Sequence, residues 1–483
     1  MRILLIFLIL VNINSLLENE KLIFVELQSR HGARNPLNLN DNNDDFMGQN
    51  WKNLGELTGV GQRMEYILGL RNRKRYITEL QFLSEKFDPH EILIFSTSLN
   101  RTLLSMTSQL QGFYPITKTS GEELSPEQLD ISSPPMNISD VDNEEIISLG
   151  NWSMPYNITL IPIHMISPLE KRIVVYDAID CKEKVTEITL KNKNENENVV
   201  KLGKNFNDIY SKNLSKVLPF PENLEYDFDD IGKICDALIA DSTEGRDLSN
   251  FFNKTNFDKD TLIEDCKEIL AVSFSKKLYG DINNEVLLLE ESPVLREMIH
   301  YMKQRVDADI KGEKIEENAI DYSRPKMVII SGHDTTLAAQ LLFILKFFNL
   351  DLELYKLPTF SAQVAFEVSR NENKTQNLSY SDYHVCFYYN DDLILNTTMD
   401  EFIKTVEKNI WSTSKINKFC GSITHKGKED DKNSLNMKMK IIIGLGILIF
   451  CLIIIIIILV VKIFKTDKED LDSIDSDKIL AED

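Results

Sequence analysis

Basic residues are scarce in this chain. Lys and Arg occupy 54 positions against 75 for Asp and Glu, a formal charge of −21 over 483 residues. A surface this acidic repels phosphate backbones, which excludes nucleic acid as a partner. Proline is sparse too, at 14 positions beside 43% hydrophobic residues, so the composition is globular rather than disordered. Cysteine occurs six times and never as Cys-x-x-Cys, which removes a zinc ribbon or a thioredoxin-like redox pair. No internal repeat is present, and the length suits one large domain or two ordinary ones.

Both ends carry apolar runs. Met1-Arg2 precedes Ile3 to Val11 and then the polar stretch Asn12 to Ser15, the pattern of a secretory signal peptide over residues 1–15. Residues 441–461 are uncharged and almost wholly apolar, and at 1.5 Å rise per residue they cover roughly 30 Å, the thickness of a bilayer core. Lysines flank this span on both sides (Lys438, Lys440, Lys462, Lys465), so charge alone does not orient it, but the signal peptide does. The expected organisation is a single-pass type I membrane protein. Its ectodomain, residues 16–420, faces the lumen or the outside; a polar stalk spans 421–440 and a cytosolic tail 462–483. Nine Asn-x-Ser/Thr acceptors (Asn100, Asn137, Asn151, Asn157, Asn213, Asn253, Asn373, Asn377 and Asn396) fit a secretory-pathway glycoprotein. Five cysteines fall in the ectodomain (Cys181, Cys235, Cys266, Cys386, Cys420), enough for two bridges and one free thiol, and Cys451 lies in the span. The tail segment Asp475 to Leu480 resembles an acidic dileucine sorting signal, against the plainer reading of a solvated tail. The destination stays open between the cell surface and a lysosome-like vesicle.

Within the ectodomain a strand–loop–helix pattern recurs three times. Lys21 to Gln28 reads as a strand entering the polar loop Ser29-Arg30-His31-Gly32, followed by a helical period over Thr58 to Arg71 with Met64, Ile67, Leu68 and Leu70 as its expected buried face. Glu91 to Phe95 reads as a second strand, with a loop and then a helix over Thr102 to Gln111. Lys326 to Ile330 is a third, followed by Ser331 to Thr336 and an apolar helix over Leu337 to Phe348. Ligands of open α/β sheets bind at such strand ends, beside helix N-termini suited to anions. Between Arg101 and His333 lie 231 residues, too many for a crossover, so an inserted subdomain is expected, mostly helical over Phe228 to Arg305. Lys191 to Asn198 reads as a solvated loop.

The chemistry concentrates at those strand ends. Arg30 and Arg34 offer fork-shaped donors that match phosphate oxygens, and His31 between them can be neutral and nucleophilic. Arg101 adds a third cation, and His333-Asp334 adds a second imidazole beside a carboxyl able to act as an acid.

Arg30-His31-Gly32-Ala33-Arg34-Asn35-Pro36 resembles the RHGxRxP signature of the histidine acid phosphatases, the acid branch of the histidine phosphatase superfamily. Leu57 to Gln62 with Leu68-Gly69, Ser96 to Ser105, and Ser331 to Thr336 resemble the family's further conserved segments, and Pro358 to Glu367 fits the strand that usually follows. The resemblance implies His31 as a nucleophile forming a phosphohistidine, with Arg30, Arg34, Arg101 and His333 holding the phosphoryl oxygens. Asp334 would protonate the leaving alcohol, and no cofactor or metal would be needed. Phe95 and Ser98 depart from the family's usual arginine and aspartate, which bears on specificity. The same resemblance suggests Cys181–Cys420 and Cys235–Cys266 bridges with Cys386 free.

The fold implied is α/β: a mixed, mostly parallel sheet flanked by helices, with a phosphoglycerate-mutase-like core over 16–115 and 320–420. A mainly helical insertion spans 116–319, and one C-terminal transmembrane helix follows. The function implied is a membrane-anchored acid phosphatase acting on phosphate monoesters, or within that class a phytase or inositol-polyphosphate phosphatase. The reading from another class is a catalytically silent phosphatase-fold glycoprotein acting as a binding or receptor module. A homodimer is the protein partner left open.

Overall fold

The computed structural model describes residues 20–37, 52–116, 123–132, 134, 143–165, 181, 185, 187–188, 191, 197–217, 226–279, 284–313 and 324–420. The expected signal peptide, stalk, membrane span and tail lie outside these residues, as does most of the expected solvated loop at 191–198. Among the described residues no helix is long and apolar enough to cross a membrane. The chain divides into two compact units, Met1–Ile416 and Asn417–Asp483. The first holds the sheet and the site; of the second, residues 417–420 are described.

Seven strands form one sheet in the order β3-β2-β4-β1-β5-β6-β7. They are β1 (Glu20–Arg30), β2 (Ile92–Ser96), β3 (His164–Met165), β4 (Met327–Gly332), β5 (Gln363–Asn371), β6 (Tyr383–Tyr389) and β7 (Asp392–Thr398). The three expected strands are β1, β2 and β4, and they pair in parallel at its centre. The expectation of a mostly parallel sheet needs correcting: β5, β6 and β7 add three antiparallel pairings, equal in number to the parallel ones. For two of them, β5 with β6 and β6 with β7, the reason is connection length. The links between β5, β6 and β7 are too short for crossover helices, so these strands can only turn back on one another.

The sheet is covered on both faces, as continuous apolar central strands require. On one face Phe24, Val328, Ile330, Val364 and Phe366 pack against helices α5 (Glu285–Lys311), α6 (Asp334–Phe347) and α7 (Met399–Asn409). On the other, Val25, Leu27, Ile94 and Ile329 pack against Tyr76 and against Met106 and Leu110 of α2 (Asn100–Phe113). Helices α3 (Phe228–Thr243) and α4 (Lys259–Tyr279) gather a core of their own around Ile231, Leu238, Leu262 and Ile269. The stretch expected as one helical insertion therefore contributes twice: α5 covers the sheet, while α3 and α4 form a separate cluster. Cys235 and Cys266 are bridged between α3 and α4, Cys181 and Cys420 are each disulfide-bonded, and Cys386 is free.

Helix α1 (Gly59–Arg73) forms where the helical period was read, capped by the Thr58 hydroxyl accepting from Gly61 N. Its expected apolar face is not the buried one. Ile67 is 52% exposed and Leu70 39%, Met64 and Leu68 are half-buried, and the buried stripe is Gly61, Glu65, Gly69, Asn72 and Arg73. Close backbone contact explains this. A Cβ on Gly69 would lie 1.9 Å from Gln109 O, and one on Gly112 would lie 2.0 Å from Tyr66 O, so α1 and α2 cross where neither carries a side chain. A large apolar residue cannot occupy that seam.

Candidate active site

The register of the central strands brings the three motifs to one level. Arg30 pairs with Gly332 and Ser96 with Ser331, so His31, Thr97 and His333 leave the sheet together. Backbone bonds fasten the exit: His31 N donates to Gly332 O at 3.1 Å and Thr97 N to Ser331 O at 3.2 Å. The loop after β1 then folds against the start of α1, where Gly32 and Gly61 meet. A Cβ on Gly32 would fall 2.4 Å from Gly61 O, and one on Gly61 would fall 2.1 Å from Ala33 O. From α2, Ser105 Oγ accepts from Gly32 N at 3.0 Å.

Residues 358–362, expected as strand, are instead a loop, with β5 beginning at Gln363. The loop has work that pairing would prevent. Pro358 O accepts from Arg30 Nη1 at 2.6 Å, and the Phe360 ring lies 4.2 Å beneath the Arg30 guanidinium and 5.6 Å from that of Arg34. Ser361 N donates to His31 O at 3.2 Å, and Ser361 Oγ to Oε1 of the buried carboxyl of Glu65 at 2.7 Å. Ser361 holds a left-handed φ of 57°, a strained conformation for a residue with a Cβ.

All six residues singled out in the sequence converge here. His31 is buried at 2% exposure, and its Nδ1 lies 2.8 Å from Gly32 O. A carbonyl can only accept, so Nδ1 carries the proton and Nε2 keeps its lone pair. Burial, then Arg30 and Arg34, hold the imidazole's pKa well below 6.5, so it stays neutral into acid. His333 lies with its ring centroid 5.5 Å from that of His31. Its Nε2 is 3.1 Å from Thr97 Oγ1, which is 2.7 Å from Thr102 Oγ1, and Thr102 in turn donates to Leu99 O. That hydroxyl chain ends on a carbonyl, which makes His333 Nε2 the donor at its head. Burial and Arg101 lower the His333 pKa to about 4.

Asp334 opens α6 and pairs with Arg30, Oδ2 to Nη2 at 2.8 Å. Burial alone would raise its pKa, but Arg30 and Arg34 outweigh burial and hold it below 3.8, so the carboxylate is charged at rest. Arg34 is buried and bound in bidentate fashion by Asp236. Arg101, half-buried, feels the charges of Arg34, Asp334, Glu56 and Arg30. Its Nη1 lies 3.5 Å from Gly55 O.

The three arginines share one property: Arg30 Nε, Arg34 Nε and Arg101 Nε are each buried with no hydrogen-bond partner. Buried charged donors left unpaired are costly, and a set of three beside the neutral His31 and His333 rings suits a tetrahedral oxyanion. Among the described residues no group of three or more His, Cys, Asp or Glu side chains is placed to hold a metal ion.

Residues 21–390 match the model of the histidine phosphatase superfamily, branch 2. The chain belongs to that family. Among curated relatives, bovine prostatic acid phosphatase is 25% identical over 329 residues, 66% of this chain and 68% of that protein. A putative acid phosphatase of Caenorhabditis elegans is 41% identical over 102 residues, and lysosomal acid phosphatase of Xenopus laevis 38% over 101; these matches take in only 23% and 22% of the length of those proteins, and 20% and 21% of this chain. Among solved structures, the phytase of Hafnia alvei in complex with myo-inositol hexakis sulphate superposes with a TM-score of 0.53 at 12% identity, covering 82% of this chain and 98% of that one. That likeness is one of fold.

Four residues of the site carried no sequence signal of their own role. Phe360 and Ser361 fall within the stretch expected as strand, and Glu65 lies outside the apolar face expected of its helix. Asp236 sits in the insertion, far from any motif, and only the folded chain brings it to Arg34.

Proposed function

We propose that this protein is an acid phosphatase that hydrolyses phosphate monoesters through a covalent phosphohistidine on His31. The observation that carries the reading is the set of three unpaired, buried arginine Nε donors, of Arg30 and Arg34 beside His31 and of Arg101 beside His333, with His31 a neutral imidazole whose Nε2 keeps its lone pair. Phosphoryl transfer needs chiefly positioning and charge stabilisation, which such a cage supplies.

In the first step His31 Nε2 attacks phosphorus as the bond to the alcohol oxygen breaks, and Asp334 passes its proton to that oxygen. In the second, water attacks the phosphohistidine, Asp334 accepts its proton, and inorganic phosphate leaves. Arg30, Arg34 and Arg101 hold the phosphoryl oxygens in both, and His333 joins them by turning its Nε2–H from Thr97 to the phosphoryl group. Asp334 is ionised at rest because Arg30 faces it, so it must gain a proton when substrate binds. A phosphate dianion drawing on the Arg30 charge raises the carboxyl pKa, and low pH helps fill it. The acidic optimum then belongs to the acid, since His31 is already neutral.

The apolar residues 441–461, the expected signal peptide and the lysosomal and prostatic names of the relatives support a membrane-anchored ectodomain in the lumen or outside the cell. The test is hydrolysis of an aryl phosphate by the detergent-solubilised chain from pH 3 to 8 with chelator present, beside His31→Ala. Activity that peaks in acid, survives chelation and vanishes in the variant is expected. A folded chain that binds phosphate without turnover would move the reading to a binding module, and a strong preference for inositol hexakisphosphate to a phytase.

A further inference from the structure

Arg34 is held from outside the sheet. Asp236 of α3 grips both its terminal nitrogens, Oδ1 to Nη2 at 2.8 Å and Oδ2 to Nη1 at 3.2 Å. Its Oδ2 also accepts from Leu37 N at 3.0 Å, so one carboxylate fixes the guanidinium and the loop that carries it. Asp236 takes one hydrogen from each Nη and Asn35 O takes the other from Nη1, so Nε–H and the second Nη2–H are the donors Arg34 retains. A second tie lies at the end of the same helix: Thr58 Oγ1 is 2.5 Å from Glu244 Oε1 and 3.1 Å from Ala33 O. Helix α3 itself is anchored at the residue before Asp236, where Cys235 is bridged to Cys266 and both are fully buried.

We infer that Asp236 is a positioning residue of the phosphatase site, through which the helical insertion sets the orientation of Arg34. This rests on the reading proposed above. A long arginine side chain has several rotatable bonds, and a bidentate carboxylate removes that freedom before substrate arrives. The placement also decides which edge of the guanidinium remains to meet an anion. Since Asp236 and the nucleophile come from separate parts of the fold, the cage is complete only when α3 is docked.

The test compares the full-length chain in detergent with Asp236→Ala, Asp236→Asn and Asp236→Glu, reading kcat, KM and pH profile with an aryl phosphate and the Kd of inorganic phosphate by calorimetry. His31→Ala is run beside them. Asp236→Ala is expected to raise KM and phosphate Kd by ten-fold or more, with Asp236→Glu recovering part of the loss and the melting temperature moving little. Tighter phosphate binding in Asp236→Ala or Asp236→Asn would make the carboxylate a competitor of the anion and overturn the proposal. Variants that melt earlier yet keep KM, pH profile and phosphate Kd would reduce the contact to a structural one, which also overturns it. If the native chain shows no His31-dependent hydrolysis, the phosphatase reading fails by itself; phosphate Kd then still decides whether Asp236 positions Arg34, and a native chain that binds no phosphate overturns both.

Discussion

Replacing Gly69 by alanine puts a single methyl group into the seam between α1 and α2, and its cost follows from the geometry. The new Cβ would stand 1.9 Å from Gln109 O and 2.8 Å from Phe113 N, where ordinary contact begins near 3.4 Å, so the helices must part by roughly 1.5 Å. Overpacking of this kind costs about 3 kcal/mol, and alanine returns about 1 kcal/mol through its better helix propensity, leaving a net loss of about 2 kcal/mol. Gly59 of the same helix has nothing within 4 Å of its notional Cβ, so Gly59→Ala is expected to be neutral or to stabilise by about 0.5 kcal/mol. Two glycines on one helix should thus differ in sign. The displaced helix α2 also carries Arg101, Ser105 bonded to Gly32 N, and Gln109, which accepts from Ser29 Oγ, so Gly69→Ala should lower kcat/KM as well as stability. Thermal melting and urea unfolding of the full-length chain measure the first effect, aryl phosphate hydrolysis the second. A Gly69→Ala chain that melts with the native protein would refute the argument, because the two helices could not then be as close as described.

Other expectations concern protons, the leaving group and the bridge. Glu26 and Glu65, each pushed by burial from 4.5 to about 8, keep protons in the folded state that the unfolded chain has released; their contribution is whole below pH 4.5 and lost as pH rises through 8, whereas lowered His333 acts oppositely only below 6.5. Melting temperature should therefore fall from pH 6.5 to 8, with Glu26→Gln flattening part of the fall, and a level native profile across that window would contradict the burial of these groups. Asp334→Asn should cost far more with an alkyl phosphate than with nitrophenyl phosphate, whose leaving group needs little protonation; equal losses on the two substrates would remove Asp334 as the acid. Cys235→Ala with Cys266→Ala opens a loop of 31 residues and should destabilise the chain by about 3 kcal/mol while raising KM through the loosened α3, and unchanged melting and KM would separate that bridge from the site.

The parts of the molecule legible in its sequence are those where one residue type has one physical use. A β-rich run followed by Arg30-His31-Gly32, another by Arg101, and a third by His333-Asp334 can be read as strand ends because strand, loop and helix each leave a local pattern, and a parallel sheet collects such ends on one edge. The antiparallel half was less legible, because alternating strands such as β6 look alike whichever way they pair. The buried face of α1 was misread for a definite reason: hydrophobic periodicity assumes that helices bury large apolar groups, whereas Gly69 and Gly112 trade side chains for backbone contact and admit the carboxyl of Glu65 to the interior.

Charge explains why the site itself spans both categories. Three neighbouring arginines whose Nε atoms are buried cannot all stand without counter-charge, so the fold supplies carboxylates to them. Asp334 answers Arg30 from within a motif, beside the histidine that marks it, and can be found by reading along the chain. Asp236 answers Arg34 from 202 residues away, on a helix whose sequence signals only its own packing. The two carboxylates differ in consequence as well as in visibility. On the reading proposed above, Asp334 would have to give up its ion pair to carry a proton and so would belong to the reaction; Asp236 has its second oxygen also committed to Leu37 N and would gain nothing by letting go, so it would belong to the frame that holds the reaction in place.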